Sequence, residues 1–276
     1  MHWQTTRFQI DLSRPQVMGI VNVTPDSFSD GGQHASTAAA LGHCEQLLKD
    51  GADILDIGGE STRPGSPAVT LDEELARVLP VVRGALSMGV PVSVDTYKPE
   101  VMQAVLDLGA DIVNDVWALR RGDALQVVAA HPGCGICLMH MHRDPQTMQV
   151  APMDGDVLVP VCAFLQERAQ ALRALGVAAD RITLDPGIGF GKTVAQNFSL
   201  LARQAELLDL GYPLLAGWSR KSSLGAVTRR EQPAERVAAS VAAALLAVER
   251  GARIVRVHDV RDTVDALKVW QAATTG

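Results

Sequence analysis

The 276-residue chain lacks any apolar run near eighteen residues, and its first residues contain no apolar segment of the signal-peptide type. We therefore expect a soluble, cytoplasmic protein. An excess of positive charge is lacking too, because 25 lysines and arginines stand against 31 aspartates and glutamates, giving a net charge of −6. This balance argues against a nucleic-acid coat and against an anchor on an acidic membrane.

Cysteine is scarce, with four residues in the chain. Cys134 and Cys137 form a CxxC pair, but this pair leads into an apolar run at residues 136–141, whereas redox pairs open a helix. A second CxxC pair, which a zinc ribbon needs, is absent from the sequence. We therefore expect buried or incidental thiols.

Linkers rich in proline or serine and low-complexity segments are also absent, so we expect one domain over residues 1–276. Eight apolar runs with strand character alternate with eight stretches of helical spacing. The predicted strands lie at residues 17–23, 53–58, 90–95, 111–116, 135–141, 181–186, 213–218 and 254–258. The predicted helices lie at residues 37–49, 71–88, 99–108, 123–130, 157–175, 195–208, 233–250 and 262–273. This alternation predicts an α/β fold, a (β/α)8 TIM barrel, with residues 1–14 as a short cap over its amino-terminal end.

Polar residues stand where the predicted strands end, which is the side on which such barrels carry their sites. These residues are Asn22, residues 60–63, Asp95, Asn114, Asp185, Lys221, Arg256 and His258. Side chains alternate along a strand, so Arg256 and His258 share the face of Ile254, and Asn114 shares that of Ile112. We expect these polar side chains to point into the mouth of the barrel.

Two long segments carry a resemblance to a known family: Asn22-Val-Thr-Pro-Asp-Ser-Phe-Ser-Asp-Gly31 and Asp56-Ile-Gly-Gly-Glu-Ser-Thr-Arg-Pro-Gly65. Together with residues 219–221 and 256–259, they resemble the dihydropteroate synthase family, and the similarity runs from about residue 15 to residue 265. The resemblance implies a pterin-binding TIM barrel, usually a homodimer. It also implies a transferase of folate biosynthesis that joins a dihydropterin-methyl diphosphate to p-aminobenzoate and is a target of sulfonamides.

The resemblance assigns a role to each matching position. Asn22 would bind a Mg2+ cofactor, in keeping with the oxygen ligands that this ion prefers. The pterin, whose ring edge needs both hydrogen-bond acceptors and donors, would be held by Asp95, Asn114, Asp185 and Lys221. The diphosphate would be held by Thr62, Arg63, Arg256 and His258. The p-aminobenzoate pocket would be shaped by Phe28, Pro64, Phe190 and Ser222.

The implied mechanism is dissociative, with Asp95, Lys221 and Arg256 as the catalytic residues. Pyrophosphate leaves first, conjugation with the dihydropterin stabilises the methylene cation, and the amine of p-aminobenzoate then attacks. This scheme needs no covalent enzyme nucleophile, which agrees with the lack of an obvious Ser-His or Cys-His arrangement.

The residues by themselves leave structural alternatives open. The charges at the strand ends could be solvated loop charges or internal ion pairs, and a serine in residues 219–223 could simply cap a helix. The glycine-rich segment around Phe190 resembles a phosphate loop but lacks the GxxxxGK[ST] spacing. Tyr97, Trp117 and Trp218 are bulky and could reshape the rim of the pocket, although we expect sulfonamide sensitivity.

Three other functions also remain open. A corrinoid methyltransferase that uses methyltetrahydrofolate would share the pterin-binding carboxylates but would not need Arg63, Arg256 and His258. A non-catalytic pterin-binding paralogue would have lost a residue of that basic group, and none is missing. A metal-dependent hydrolase would use His140 and His142 as an HxH pair at a strand end.

Overall fold

The computed structural model describes residues 1–23, 32–61, 66–144, 147–148 and 150–274. The strands in these ranges are β1 (His2–Gln4), β2 (Gln9–Asp11), β3 (Gln16–Asn22), β4 (Ile54–Gly58), β5 (Val92–Asp95), β6 (Ile112–Asp115), β7 (Gly135–Met139), β8 (Ile182–Asp185), β9 (Leu214–Ala216) and β10 (Ala252–Val257). The helices are α1 (Gly32–Lys49), α2 (Leu71–Ala85), α3 (Pro99–Asp107), α4 (Ala124–Ala130), α5 (Leu158–Ala174), α6 (Val194–Ala202), α7 (Ser222–Thr228), α8 (Val237–Glu249) and α9 (Val260–Thr274).

Strands β3 to β10 form a closed barrel in which β10 lies between β9 and β3. All the neighbouring pairs are parallel, and at least one helix follows each barrel strand. The (β/α)8 TIM barrel predicted from the sequence is therefore confirmed. None of the helices in the described ranges has both the length and the apolar character needed to cross a membrane.

The barrel strands are short apolar runs because both of their faces are covered. In β4, every residue is buried. Ile54 packs inside the barrel with residues of other strands, whereas Leu55 and Ile57 pack outward against the helical layer. This alternation sets which polar residues reach the interior further along each strand.

The amino-terminal end of the barrel is covered by the antiparallel hairpin of β1 and β2, which lies where the sequence predicts a cap. Trp3 is fully buried, and its Nε1 atom donates to the carbonyl oxygen of Arg181 at 3.0 Å. Together with Ile10 and Leu12, Trp3 packs against inward-facing barrel residues. The hairpin thus seals this end and leaves the carboxyl end for the site.

The structure corrects some predicted helices. The predicted helix at residues 195–208 is α6 followed by a 3₁₀ turn at Gln204–Leu210, since apolar spacing alone does not separate these two geometries. The predicted helix at residues 233–250 is a 3₁₀ turn at Pro233–Arg236 followed by α8. Helix α7 is an additional short helix, and its first residue is Ser222.

Candidate active site

At the carboxyl end of the barrel, an arginine pairs with the side chains of two other strands. Arg256 of β10 lies with its Nε atom 2.6 Å from Asp56 Oδ2 and its Nη2 atom 2.7 Å from Asp95 Oδ2. Asn114 of β6 donates through Nδ2 to the same Asp56 oxygen at 3.2 Å. We refer to Asp56, Asp95, Asn114 and Arg256 as the Arg256 cluster. It confirms that inward alternation brings side chains from separate strands together.

The charges of the Arg256 cluster shift one another's pKa values. Burial raises the pKa of Asp95 to about 7; Arg256 opposes this shift, and the neighbouring carboxylate of Asp56 adds to it. Burial alone would lower the pKa of Arg256, but Asp56 and Asp95 raise it above its usual range. One guanidinium therefore serves two carboxylates, and Asp95 is poised to change its protonation state near neutral pH.

Asp56 was not among the predicted site residues, although it lies within a quoted motif. Its side chain is fully buried, and Oδ1 makes no hydrogen bond within the described part of the chain. A carboxylate in the apolar run Ile54-Leu-Asp-Ile-Gly58, in phase with the inward-facing Ile54, is the sequence signal that identifies it.

The second part of the site is Asp185 with the loop that follows β8. Asp185 Oδ1 accepts a hydrogen bond from the backbone N–H of Gly187 at 2.7 Å. Burial raises the pKa of Asp185, while the Gly187 N–H and then Lys221 oppose that shift. Lys221 Nζ lies 4.2 Å from the centre of the Phe190 ring, a cation–π contact. The structure thus brings Asp185, Phe190 and Lys221 together.

Glycine is required in this loop at every second position. Gly187, Gly189 and Gly191 have positive φ angles of 68°, 82° and 72°. A Cβ atom on Gly187 would lie 1.8 Å from the carbonyl oxygen of His140, so no other residue fits there without a backbone shift. The glycines let the loop run close to β7 and present Phe190 at the mouth.

His258 and Ser222 belong to the part of the mouth formed by the ends of β9 and β10. Ser219 Oγ lies 3.0 Å from His258 Nδ1, and the backbone N–H of His258 donates to the same hydroxyl at 3.1 Å. The next residue, Arg220, pairs with Asp259 at 2.5 Å. Ser222 is exposed at the start of α7, directly after Lys221. These contacts tie the Lys221 segment to the end of β10.

The remaining predicted residues fall into two groups. Asn22 is the last residue of β3 and is half-buried beside the end of β4. The other four, Phe28, Thr62, Arg63 and Pro64, lie outside the described residues. Of the predicted diphosphate group, the structure therefore describes Arg256 and His258.

The bulky residues near the site have different surroundings. Tyr97 and Trp117 lie at the rim, 6.4 Å apart between ring centres, and the Arg121 guanidinium contacts both rings. Trp218, by contrast, is 1% exposed and packs on Phe198 in the core. The expectation that Trp218 reshapes the rim is therefore not supported by its position.

The histidine and cysteine motifs outside the site have structural surroundings. His140 is buried, and its Nδ1 atom lies 2.9 Å from Lys192 Nζ. A metal ion bound at this nitrogen would have to displace the Lys192 ammonium group. The described residues contain no group of three His, Cys, Asp or Glu side chains placed to bind a metal. Cys134 and Cys137 are buried free thiols. These facts disfavour the metal-dependent hydrolase.

Comparisons with known proteins agree with this geometry. A family model described as pterin binding enzyme matches residues 18–258. A dihydropteroate synthase of Neisseria meningitidis serogroup C is 53% identical over 273 residues, covering 98% of this chain and 96% of the relative. The solved structure of Xanthomonas albilineans dihydropteroate synthase with 4-aminobenzoic acid has a TM-score of 0.94 and 51% identity, with 100% of both chains covered.

A third similar protein was also solved with a bound ligand. Burkholderia cenocepacia dihydropteroate synthase complexed with 7,8-dihydropteroate has a TM-score of 0.90 and 54% identity, covering 99% of this chain and 96% of that one. The resemblance drawn from the sequence motifs is confirmed. With matches at this identity over nearly its whole length, the chain belongs to the pterin-binding enzyme family and, within it, to the dihydropteroate synthases.

Proposed function

We propose that the chain condenses (7,8-dihydropterin-6-yl)methyl diphosphate with p-aminobenzoate to give 7,8-dihydropteroate and pyrophosphate. The observation that carries this proposal is the inward-facing set of acceptors and donors at the carboxyl end of the barrel, beside a loop that presents Phe190. The methyltransferase and the non-catalytic paralogue are not favoured, because the relatives matched over nearly the full chain are dihydropteroate synthases.

The pterin would lie between the Arg256 cluster and the loop after β8. Asp95 and Asp185 accept hydrogen bonds from ring and amino N–H groups, while Asn114 and Lys221 donate to ring nitrogen and carbonyl groups. Burial raises the pKa values of both carboxyl groups because it disfavours their charged forms. Hydrogen bonds from the N–H groups of a bound pterin would stabilise these charged forms, which supports the assignment.

The diphosphate would lie toward the ends of β3 and β10, beside Arg256 and His258. Thr62 and Arg63, which lie outside the described residues, would also bind it. Arg256 already pairs with two carboxylates, so contact with a diphosphate adds to these pairs or replaces one of them. His258 shares a hydrogen bond with Ser219, which orients its ring. Cationic groups at this place stabilise the charge of the departing pyrophosphate.

We also propose a Mg2+ ion held by Asn22. The half-buried amide of Asn22 at the end of β3 offers one neutral oxygen ligand. The described residues contain no group of three His, Cys, Asp or Glu side chains placed to bind a metal around it. This donor set fits an ion that keeps waters and takes its other ligands from substrate phosphates. When bound, Mg2+ would neutralise charge on the leaving diphosphate.

p-Aminobenzoate would bind between Phe190 and Ser222. Phe28 and Pro64, which lie outside the described residues, would complete the pocket. The Phe190 ring offers a flat apolar surface, and Lys221 lies against it. The reaction is dissociative: the C–O bond to the diphosphate breaks first, and the amine nitrogen then attacks the methylene carbon. The ionised Asp95 carboxylate stabilises the intervening cation. After the C–N bond forms, the proton of the attacking amine passes to water.

We further propose a cytoplasmic homodimer. Ala238, Ala242 and Leu246 are exposed at intervals of four residues along α8, which forms an apolar stripe suited to a second copy. The four cysteines are free thiols, as is usual in a reducing compartment.

The activity is tested by following pyrophosphate release from dihydropterin-methyl diphosphate and Mg2+, with and without p-aminobenzoate. We expect release coupled to dihydropteroate formation when p-aminobenzoate is present. Binding of the pterin diphosphate without turnover would support the paralogue or the methyltransferase instead. Absence of binding would contradict the assignment of the pterin site.

A further inference from the structure

We propose that Lys192 and Asn197 are positioning residues that hold Phe190 and Ser222 at a fixed separation, and so set the affinity for p-aminobenzoate. This inference rests on the proposed function, in which Phe190 and Ser222 shape that pocket. Neither Lys192 nor Asn197 is assigned a contact with either substrate. Both are buried, with exposures of 3% and 1%.

Lys192 holds the loop after β8 from the inside. Its ammonium group donates to the carbonyl oxygens of Gly187 at 2.8 Å and Phe190 at 3.2 Å, and lies 2.9 Å from Nδ1 of His140. The first two contacts join the beginning of the loop to the residue that carries the aromatic ring. The third ties the loop to the end of β7.

The partners of the Lys192 ammonium are neutral groups, which makes its burial unusual. Burial lowers the pKa of Lys192 to about 7, although the negative charge of Asp185 opposes this shift. Burial also lowers the pKa of His140 to about 2, and the charge of Lys192 adds to that shift. The imidazole is therefore neutral, and Nδ1 accepts the hydrogen bond. An alkyl side chain would fill this space without the desolvation penalty, but it would hold neither of the two loop carbonyl groups in place.

Asn197 of α6 holds the same loop from the outside and connects it to α7. Its Oδ1 atom accepts from the backbone N–H of Gly189 at 2.9 Å, and its Nδ2 atom donates to Ser223 Oγ at 2.9 Å. Nδ2 also lies 3.3 Å from the carbonyl oxygen of Lys192. One carboxamide thus links the loop that carries Phe190 to the residue next to Ser222.

The loop needs such restraints because its glycines have wide conformational freedom. Gly187, Gly189 and Gly191 all adopt positive φ angles, a conformation that glycine also leaves readily. Phe190 covers Lys221 only while the loop keeps this shape. Release of either restraint would let Phe190 and Ser222 move apart, and the second substrate would bind less tightly while the pterin contacts of the Arg256 cluster remain.

The test uses Lys192→Met and Asn197→Leu, which keep approximate volume and remove the hydrogen bonds. We expect KM for p-aminobenzoate to rise about tenfold or more in each, the usual effect of leaving buried polar groups unpaired. KM for the pterin diphosphate should rise by a much smaller factor, about twofold, since Asp95, Asn114 and Asp185 stay on their strands and only the side of the pterin toward the loop after β8 is loosened. Equal changes in both KM values, or no change in either, would overturn the proposal.

Gln204→Leu is the matched control. Gln204 is 2% exposed and donates to the carbonyl oxygens of Ala247 and Arg250, away from the loop after β8. This variant should lose thermal stability like the other two while both KM values stay as in the wild type. A rise in the p-aminobenzoate KM of this control would show that general destabilisation, not positioning, causes the effect.

Amide hydrogen exchange of residues 187–192 gives a readout that does not depend on turnover. Exchange should accelerate in Lys192→Met and Asn197→Leu but not in Gln204→Leu. If the wild type makes no dihydropteroate, the proposed function fails while accelerated exchange still supports the restraint. If the wild type is active and exchange is unchanged in both variants, the restraint itself is refuted.

Discussion

The two ends of the barrel use the same kinds of charged residues with different results. At the amino-terminal end, the Asp111 carboxylate accepts from the Arg7 guanidinium at 2.6 Å and from the backbone N–H groups of Arg7 and Val92. At the carboxyl end, Arg256 is shared between Asp56 and Asp95, and Asp56 Oδ1 makes no hydrogen bond among the described residues. A carboxylate that is satisfied by its own surroundings holds the fold, whereas a guanidinium shared between two carboxylates can exchange one of these contacts for a substrate.

Substitution of the shared arginine should have the largest effect on turnover. Arg256→Ala removes the only guanidinium that pairs with Asp56 and Asp95 among the described residues, and it removes a cation proposed to stabilise the leaving group. We expect kcat to fall about a hundredfold, with the fold retained by circular dichroism. Near-normal turnover in a steady-state assay would refute the catalytic assignment of Arg256.

The second largest effect is expected in the pH dependence of turnover, which should reflect a group at the carboxyl end of the barrel. Burial raises the pKa of Asp95 to about 7, so kcat/KM should fall about tenfold per pH unit below that value as the carboxylate becomes protonated. The raised pKa of Asp95 also makes the free energy of unfolding fall as the pH rises from about 4 to about 7. The reason is that the folded state binds the Asp95 proton more tightly than the unfolded state does.

Asp115 also has a pKa raised by burial to about 7, but it binds the backbone N–H groups of Trp117 and Leu119. The variant Asp95→Asn therefore identifies the group responsible. The residual kcat/KM of this variant should no longer fall as the pH is lowered below about 7. If the fall persists in the variant, another residue is responsible for it.

At the opposite end, Arg7→Ala should reduce stability without reducing catalysis. It leaves the buried Asp111 carboxylate without its cation, at a cost of about 2 kcal/mol in the free energy of unfolding. Urea denaturation measures this loss, and kcat should equal that of the wild type. A large fall in kcat with both substrates saturating would show that the two ends are coupled.

The smallest difference is expected in sulfonamide inhibition. Sulfamethoxazole should compete with p-aminobenzoate in the wild type, because both would occupy the pocket beside Phe190. Its inhibition constant should be unchanged in Arg7→Ala, which alters only the amino-terminal end. Inhibition that is not competitive in the wild type would place the drug elsewhere.

The features that the sequence predicted are those encoded within single strands. Apolar runs located the barrel strands, and alternation placed Asn114 and Arg256 inside the mouth before any contact was known. Both signals depend on residues two positions apart, so they can be recognised locally.

The features that the sequence did not reveal depend on distant partners. Asp56 acquires its role from an arginine 200 residues away in the chain. Lys192 ends the glycine-rich segment around Phe190, and nothing in the neighbouring sequence indicates that its ammonium group faces backbone carbonyls. Asn197 lies in the amphipathic helix α6, where the sequence suggests that an asparagine faces solvent. In the structure, α7 packs beside it and Asn197 is buried against Ser223.

The closure of the barrel between β10 and β3 has a consequence for synthesis on the ribosome. Arg256 follows Asp56 by 200 residues and Asp95 by 161, so both carboxylates emerge long before their cation. At translation rates of 5–20 residues per second, the interval after Asp56 is about 10 to 40 s. Until then, the two carboxylates lack the cation that pairs with them in the finished barrel, so the stability that this cluster contributes is gained only when the last strand has been made.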